Sequence, residues 1–196
     1  MTFDRVHSGI VPAKPGAVVQ VARLPFQGGD GGANPTLRLH VSTATVAEVN
    51  VLLQAEHYLG PVAGARICFA AFADDVMVAC QAWRWPTARM LPSDGSWLEL
   101  SRWCIASHAE PNTGSRMMGY VRRWLRREMP EVRTLVSYSD PVHGHTGTLY
   151  KASGWSYTPS HIGARYDVDG IGYASGNGSW DGVNVSTPKH RWTVAL

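Results

Sequence analysis

The chain has 196 residues, 44% hydrophobic and 17% charged, enough for one domain with its own core and too apolar for a disordered protein. Three scattered cysteines, Cys68, Cys80 and Cys104, lie in apolar runs; they exclude a CxxC zinc pair and read as reduced core thiols. The net charge of +3 permits an anionic partner without demanding one, and the lack of a membrane-length apolar run or a signal-like opening points to a cytoplasmic protein.

Residues 1–36 hold Pro12, Pro15, Pro25, Pro35 and the Gly28–Gly32 cluster, and read as an irregular N-terminal segment with one short strand at Ala17–Ala22. Residues 37–196 read as the folded domain. Its first element is a helix from Val46 to Leu59, opened by a capping box of Thr45 and Glu48. Val46, Val49, Leu53 and His57 recur at helical spacing and share a face, where a histidine is more often a core residue than a ligand. Two apolar runs, Ala65–Phe72 and Val76–Trp83, form an antiparallel hairpin across Asp74 and Asp75, and Trp97–Ile105 is a third strand. A loop at Ala109–Gly114 leads into a helix over Ser115–Met129, which Pro130 ends. Val132–Ser139 is a strand, Thr146–Ser153 a short helix stopped at Gly154, and Trp155–Tyr166 another strand. Arg191–Ala195 closes the sheet. A hairpin followed by a strand–helix–strand step makes an α/β domain with a mixed sheet.

Chemistry concentrates in Ser137–Ser153. Asp140 stands at a strand end and Pro141 stops the strand; His143 and His145 follow, and Tyr150 lies one helical turn beyond Thr146. A carboxylate, imidazoles and a phenol suit proton transfer, although Asp-Pro and Gly-His junctions also serve as turns and caps. Arg102 interrupts an apolar strand and needs an anionic partner, for which Asp140 is the candidate within the chain. The helix start at Asn112, Gly114 and Ser115 offers backbone amides to an anion, but acidic Glu110 and a single glycine make a degraded phosphate cradle. Arg122, Arg123, Arg126 and Arg127 crowd one helix in like-charged i,i+4 pairs, either a solvated face or a track for DNA phosphates that Lys189 and Arg191 would extend. His57, His143 and His145 with Asp140 permit an N/O metal site without forming a strong signature.

The segments AEHYLG, LELSRW, PNTGS, SYSDPVHGHTGTLYKASGW and KHRW, in this order between Val46 and Trp192, resemble the Mom family. That resemblance implies a GNAT acyltransferase-like fold, and an activity that converts adenine in double-stranded phage DNA to its N6-carbamoylmethyl form and blocks host restriction. By the same resemblance His57, Tyr58, Arg102, Asp140 and Tyr150 become catalytic candidates. Asn112, Gly114 and Ser115 become the donor-binding loop. Asp140 would hold or deprotonate the amino group, Tyr150 would act as acid or hydrogen-bond donor, and an aromatic such as Tyr58 would stack on an extruded base. The fold implies an acyl-CoA-type donor and the family iron, although simple acyl transfer leaves an amide rather than a carbamoylmethyl group. An acetyl-CoA-dependent N-acetyltransferase of a small amine or protein and a non-catalytic DNA-binding protein are the competing readings.

Overall fold

The computed structural model describes residues 39–165 and 184–196. The irregular segment expected over residues 1–36, with its strand at Ala17–Ala22, lies outside the described residues. The described chain opens with β1 (Leu39–Ala44), which the sequence pattern did not announce, and passes directly into α1 (Val46–Glu56). The expected capping box is formed: the Glu48 amide donates to Thr45 Oγ1 at 3.2 Å and the Thr45 amide donates to Glu48 Oε2 at 2.7 Å.

β2 (Ile67–Ala73) and β3 (Val76–Arg84) form the predicted hairpin. Asp74 and Asp75 both take positive φ, 46° and 65°, as a two-residue turn matched to strand twist requires. β4 (Trp97–Ile105), α2 (Thr113–Glu128), β5 (Thr134–Ser139), α3 (Thr148–Ala152), β6 (Ser156–Arg165) and β7 (Asn184–Ala195) follow. The strands make one seven-stranded sheet in the order β1-β2-β3-β4-β5-β7-β6. β7 therefore inserts between β5 and β6 rather than adding at an edge. Every pairing is antiparallel except β4 with β5.

Hydrophobic packing divides between the two faces of the sheet. On one, α2 sets Met117, Met118, Val121 and Leu125 against Phe69, Trp83, Leu98, Leu100 and Leu135. On the other, Val49, Leu52 and Leu53 of α1 cover Cys68, Cys80, Ala82 and Cys104, all buried. The three cysteines are thus core residues, with free thiols.

The parallel pair creates the opening that matters. Its register runs from Trp97–Thr134 to Leu100–Ser137 and stops, while β4 continues to Ile105 and β5 to Ser139. A register shift between Ala82 and Trp83 marks a bulge where β3 meets this part of β4. Beyond Leu100 and Ser137 the two strands lose their ladder, and a cleft opens between them.

Candidate active site

The cleft has a volume of about 350 Å³ and is lined from four directions: the α1–β2 turn, β4, β5 and the segment from Gly144 to Tyr150. His57, Tyr58, Arg102 and Tyr150, proposed from sequence as catalytic, all lie on its wall, together with His145. Asp140 does not line it. Its buried carboxylate sits at the end of β5 behind the wall, 3.6 Å from Lys189 Nζ.

His57 differs from its sequence reading. α1 ends at Glu56, and His57 is the C-cap with extended backbone (φ −103°, ψ 126°), so its ring leaves the helix face for the cleft. The Leu59 amide donates to His57 Nδ1 at 3.1 Å, which leaves the ring proton of the neutral imidazole on Nε2. Burial, reinforced by the positive charge of Arg102, pushes its pKa down to about 4. At neutral pH His57 is therefore an uncharged donor.

Tyr58, half-exposed at the rim, gathers three imidazoles around its ring. His57 stacks on it with centroids 5.0 Å apart, His143 lies 4.2 Å away and His145 meets it edge-on at 4.9 Å. The metal candidates His57, His143 and His145 therefore pack on an aromatic ring instead of converging on one point. Among the described residues no group of three or more His, Cys, Asp or Glu is arranged to hold a metal ion. The residues present do not fit an iron centre.

Tyr150 is the most constrained group of the cleft. Its ring stacks on Trp192 (5.4 Å, 9°) and takes the edges of Trp155 and Trp103 at 5.4 and 5.6 Å. Its hydroxyl hydrogen-bonds Ser137 Oγ at 2.9 Å, and Ser137 Oγ lies 2.9 Å from the Leu100 carbonyl, to which it donates. With its own proton spent on Leu100, Ser137 accepts from Tyr150. Burial pushes the Tyr150 pKa up to about 12, so the phenol remains protonated. α3 begins at Thr148, so Thr146 does not share its helical face. Ser137 was missed in the sequence because a serine inside an apolar strand carries no signal of what lies across the strand gap.

Arg102 also reaches the cleft wall, where its Nε approaches the Gly60 carbonyl at 3.4 Å and Nη1 donates to the Ser101 carbonyl at 2.8 Å. Lys189 is a cation partner of Asp140, because β7 lies beside β5 and brings it to the strand end. Lys189 is buried, so it serves this carboxylate and not a surface track for DNA.

The α2 entrance departs from a phosphate cradle. Asn112 is exposed, in left-handed backbone (φ 66°), and makes no side-chain cap bond. Thr113 and Ser115 turn their hydroxyls onto the carbonyls of Glu110 and Asn112. A Cβ on Gly114 would meet Ile105 Cδ1 at 2.5 Å and Leu149 Cδ1 at 2.6 Å, so the glycine admits side chains rather than a ligand. Asn112, Gly114 and Ser115 all stand outside the cleft lining. Gly114 at this start of α2 is thus held by side-chain packing, and the hydroxyls of Thr113 and Ser115 turn back onto their own turn.

On the far side of α2 the arginines separate by role. Arg122 donates to the carbonyls of Ser153 and Ala195 and ties the helix to the sheet. Arg127 pairs with Glu128, and Arg123 and Arg126 are exposed.

The model of the Mom protein family matches residues 38–190, which include every residue of the cleft. The chain belongs to the Mom protein family. Within curated sequences it is 29% identical over 104 residues to the methylcarbamoylase Mom of Escherichia phage Mu, a match spanning 50% of this chain and 43% of that protein. It thus covers less than half of that relative's length. Among solved structures, a GNAT family acetyltransferase from Elizabethkingia anophelis with acetyl-CoA bound superposes with a TM-score of 0.52 at 15% identity, covering 81% of this chain and 98% of that one. The ribosomal-protein-S18-alanine N-acetyltransferase of Escherichia coli gives a TM-score of 0.54 at 12% identity over 80% and 93% of the two chains. The fold of this Mom protein is therefore the GNAT fold, an α/β mixed sheet flanked by helices.

Proposed function

We propose that this chain is a DNA-modification enzyme that carbamoylmethylates the N6 amino group of adenine. The observation that carries the reading is the convergence of four dispersed family residues, His57, Tyr58, Arg102 and Tyr150, on one cleft at the splay of β4 and β5. Adenine N6 is a weak nucleophile because its lone pair is delocalised into the ring, so the site must accept its proton, align it and exclude water.

His145 is the base in this reading. It lines the cleft, burial lowers its pKa so that it is neutral at pH 7, and the nearby Asp140 carboxylate favours its protonated form as a proton arrives. Asp140 then acts through the imidazole as a positioning residue, itself held by Lys189. His57 Nε2–H is the donor that orients the carbamoyl oxygen, and the Tyr150 hydroxyl, whose proton goes to Ser137, offers its remaining lone pair to the adenine amino group. Balance requires that an N6–H bond is replaced by N6–CH₂, the proton passing to His145. A carbamoylmethyl donor loses its leaving group with the electron pair of the broken bond. Reaching N6 in a duplex requires the base to be extruded into the cleft.

The test is mass spectrometry of nucleosides from plasmid DNA of cells expressing the chain. Deoxyadenosine heavier by one carbamoylmethyl group, lost with Tyr150→Phe and His145→Ala, supports the reading. Unmodified adenine from soluble, folded protein that is stabilised by acetyl-CoA would replace it with an N-acetyltransferase of small amines. Salt-dependent DNA binding without any product would leave a DNA-binding protein.

A further inference from the structure

The cleft has two sides, and they differ in charge. Strand alternation assigns Arg84 to the face that α1 covers, because Cys80 and Ala82 pack under α1, and Glu99 joins it there as its register partner, between Leu98 and Leu100 of the α2 face. On β5, Leu135 belongs to the α2 face, so Tyr138 lies on the α1 face, and its register partner Arg191 lies with it. Arg66, whose amide donates to the Trp83 carbonyl at 2.7 Å, extends the β2–β3 ladder by one residue and falls beside Arg84.

These groups form one cluster. Arg84 donates to Glu99 and is 43% exposed, and Arg84, Glu99 and Arg191 all act electrostatically on the Tyr138 phenol, which lines the cleft. Arg66 is exposed and stands over the ring of Trp85, 5.8 Å from its centroid. Arg191 has a buried Nε that finds no hydrogen-bond partner among the described residues. Within this ribbon, three arginines face a single carboxylate that Arg84 already neutralises. No described helix covers it, since α1 stops over the cysteine end of the sheet.

We propose that the ribbon Arg66–Arg84–Arg191 is the surface on which duplex DNA docks, its phosphates held on the α1 side of the sheet and the target base entering the cleft beside Tyr138. The inference rests on the proposed DNA substrate and locates it. From β2 to β7 the ribbon crosses four strand spacings, roughly 19 Å, so it can meet several successive phosphates. His57 and Tyr58, at the turn after α1, and Arg102, opposite Ala82, open the cleft on this same side. The α2 arginines stand on the opposite face of the sheet and cannot touch phosphates flanking a base that enters here. The DNA track expected on Arg122, Arg123, Arg126 and Arg127 therefore moves to the other face, where Arg84 and Arg191 carry over.

The experiment is fluorescence polarisation of a labelled 20-base-pair duplex across a salt series, with thermal melting as the folding control. Each lost phosphate contact lowers the slope of log K against log salt by about 1. Arg66→Gln, an exposed site, should lower it by about 1, and Arg66→Gln/Arg191→Gln by about 2, with Arg191→Lys restoring the Arg191 share. Arg123→Gln/Arg126→Gln should leave it unchanged. A fall in slope for the α2 pair with none for Arg66→Gln overturns the docking surface while keeping DNA as the partner. Wild-type protein without salt-dependent DNA binding overturns the proposed function and the surface together.

Discussion

Replacing Gly147 with alanine tests a close contact behind the cleft wall. Gly147 caps α3 with φ +77°, and a Cβ there would overlap Trp192 Cζ2, with Cη2 and Cε2 at 2.6 and 2.7 Å. Left-handed backbone costs an alanine roughly 1–2 kcal/mol, and forcing a methyl into packed aromatics costs about 1–3 kcal/mol more. The sum, about 2–5 kcal/mol, corresponds to a fall in Tm of roughly 5–15 °C for a chain of this size. Gly144 is the internal control. Its φ is +72° but nothing lies within 4 Å of an added Cβ, so Gly144→Ala should cost only the backbone share. Trp192→Phe withdraws the overlapping ring atoms, so the double variant with Gly147→Ala should show favourable coupling above 1 kcal/mol in urea unfolding, as contacting residues do. Because Tyr150 stacks on Trp192, Gly147→Ala should also disturb the near-UV circular dichroism of that pair. A Gly147→Ala protein as stable as Gly144→Ala, with no coupling to Trp192, would refute the packing argument.

Tyr150 has a folded pKa raised to about 12, above that of an ordinary tyrosine, so its contribution to stability is complete below pH 10 and is lost as pH rises through 12. Absorbance titration near 295 nm should show one tyrosine ionising late, and Tyr150→Phe should abolish that step. His57 runs the other way. Its pKa is lowered to about 4, so its contribution is present above pH 6.5 and lost as pH falls through 4. The stability difference between wild type and His57→Gln should narrow over that window, and histidine proton NMR should show one ring titrating well below the others. Arg84→Ala strips a buried carboxylate, Glu99, of its cation and should destabilise the protein by about 3 kcal/mol in urea melts. Arg84→Ala/Glu99→Gln should recover part of that loss.

Where local rules decide, the sequence was sufficient. The capping box at Thr45, the two-residue hairpin at Asp74-Asp75, the stop at Pro130 and the strand at Trp97–Ile105 were each legible, because their causes lie within a few residues. The resemblance of AEHYLG, LELSRW and the Ser137–Trp155 segment to the Mom family was legible too, and named four of the cleft's side chains before any geometry. The helical period failed at His57, because α1 ends one residue earlier and the Leu59 amide fixes the imidazole in the turn. What followed from tertiary structure alone was partnership across strands. Inserting β7 beside β5 gave Asp140 a lysine partner and put Trp192 under Tyr150. The ladder between β4 and β5 ending at Leu100–Ser137 opened the cleft and made Ser137 the acceptor for the Tyr150 hydroxyl. Sequence period fixes which face of its own element a residue takes; only the strand order decides what stands opposite.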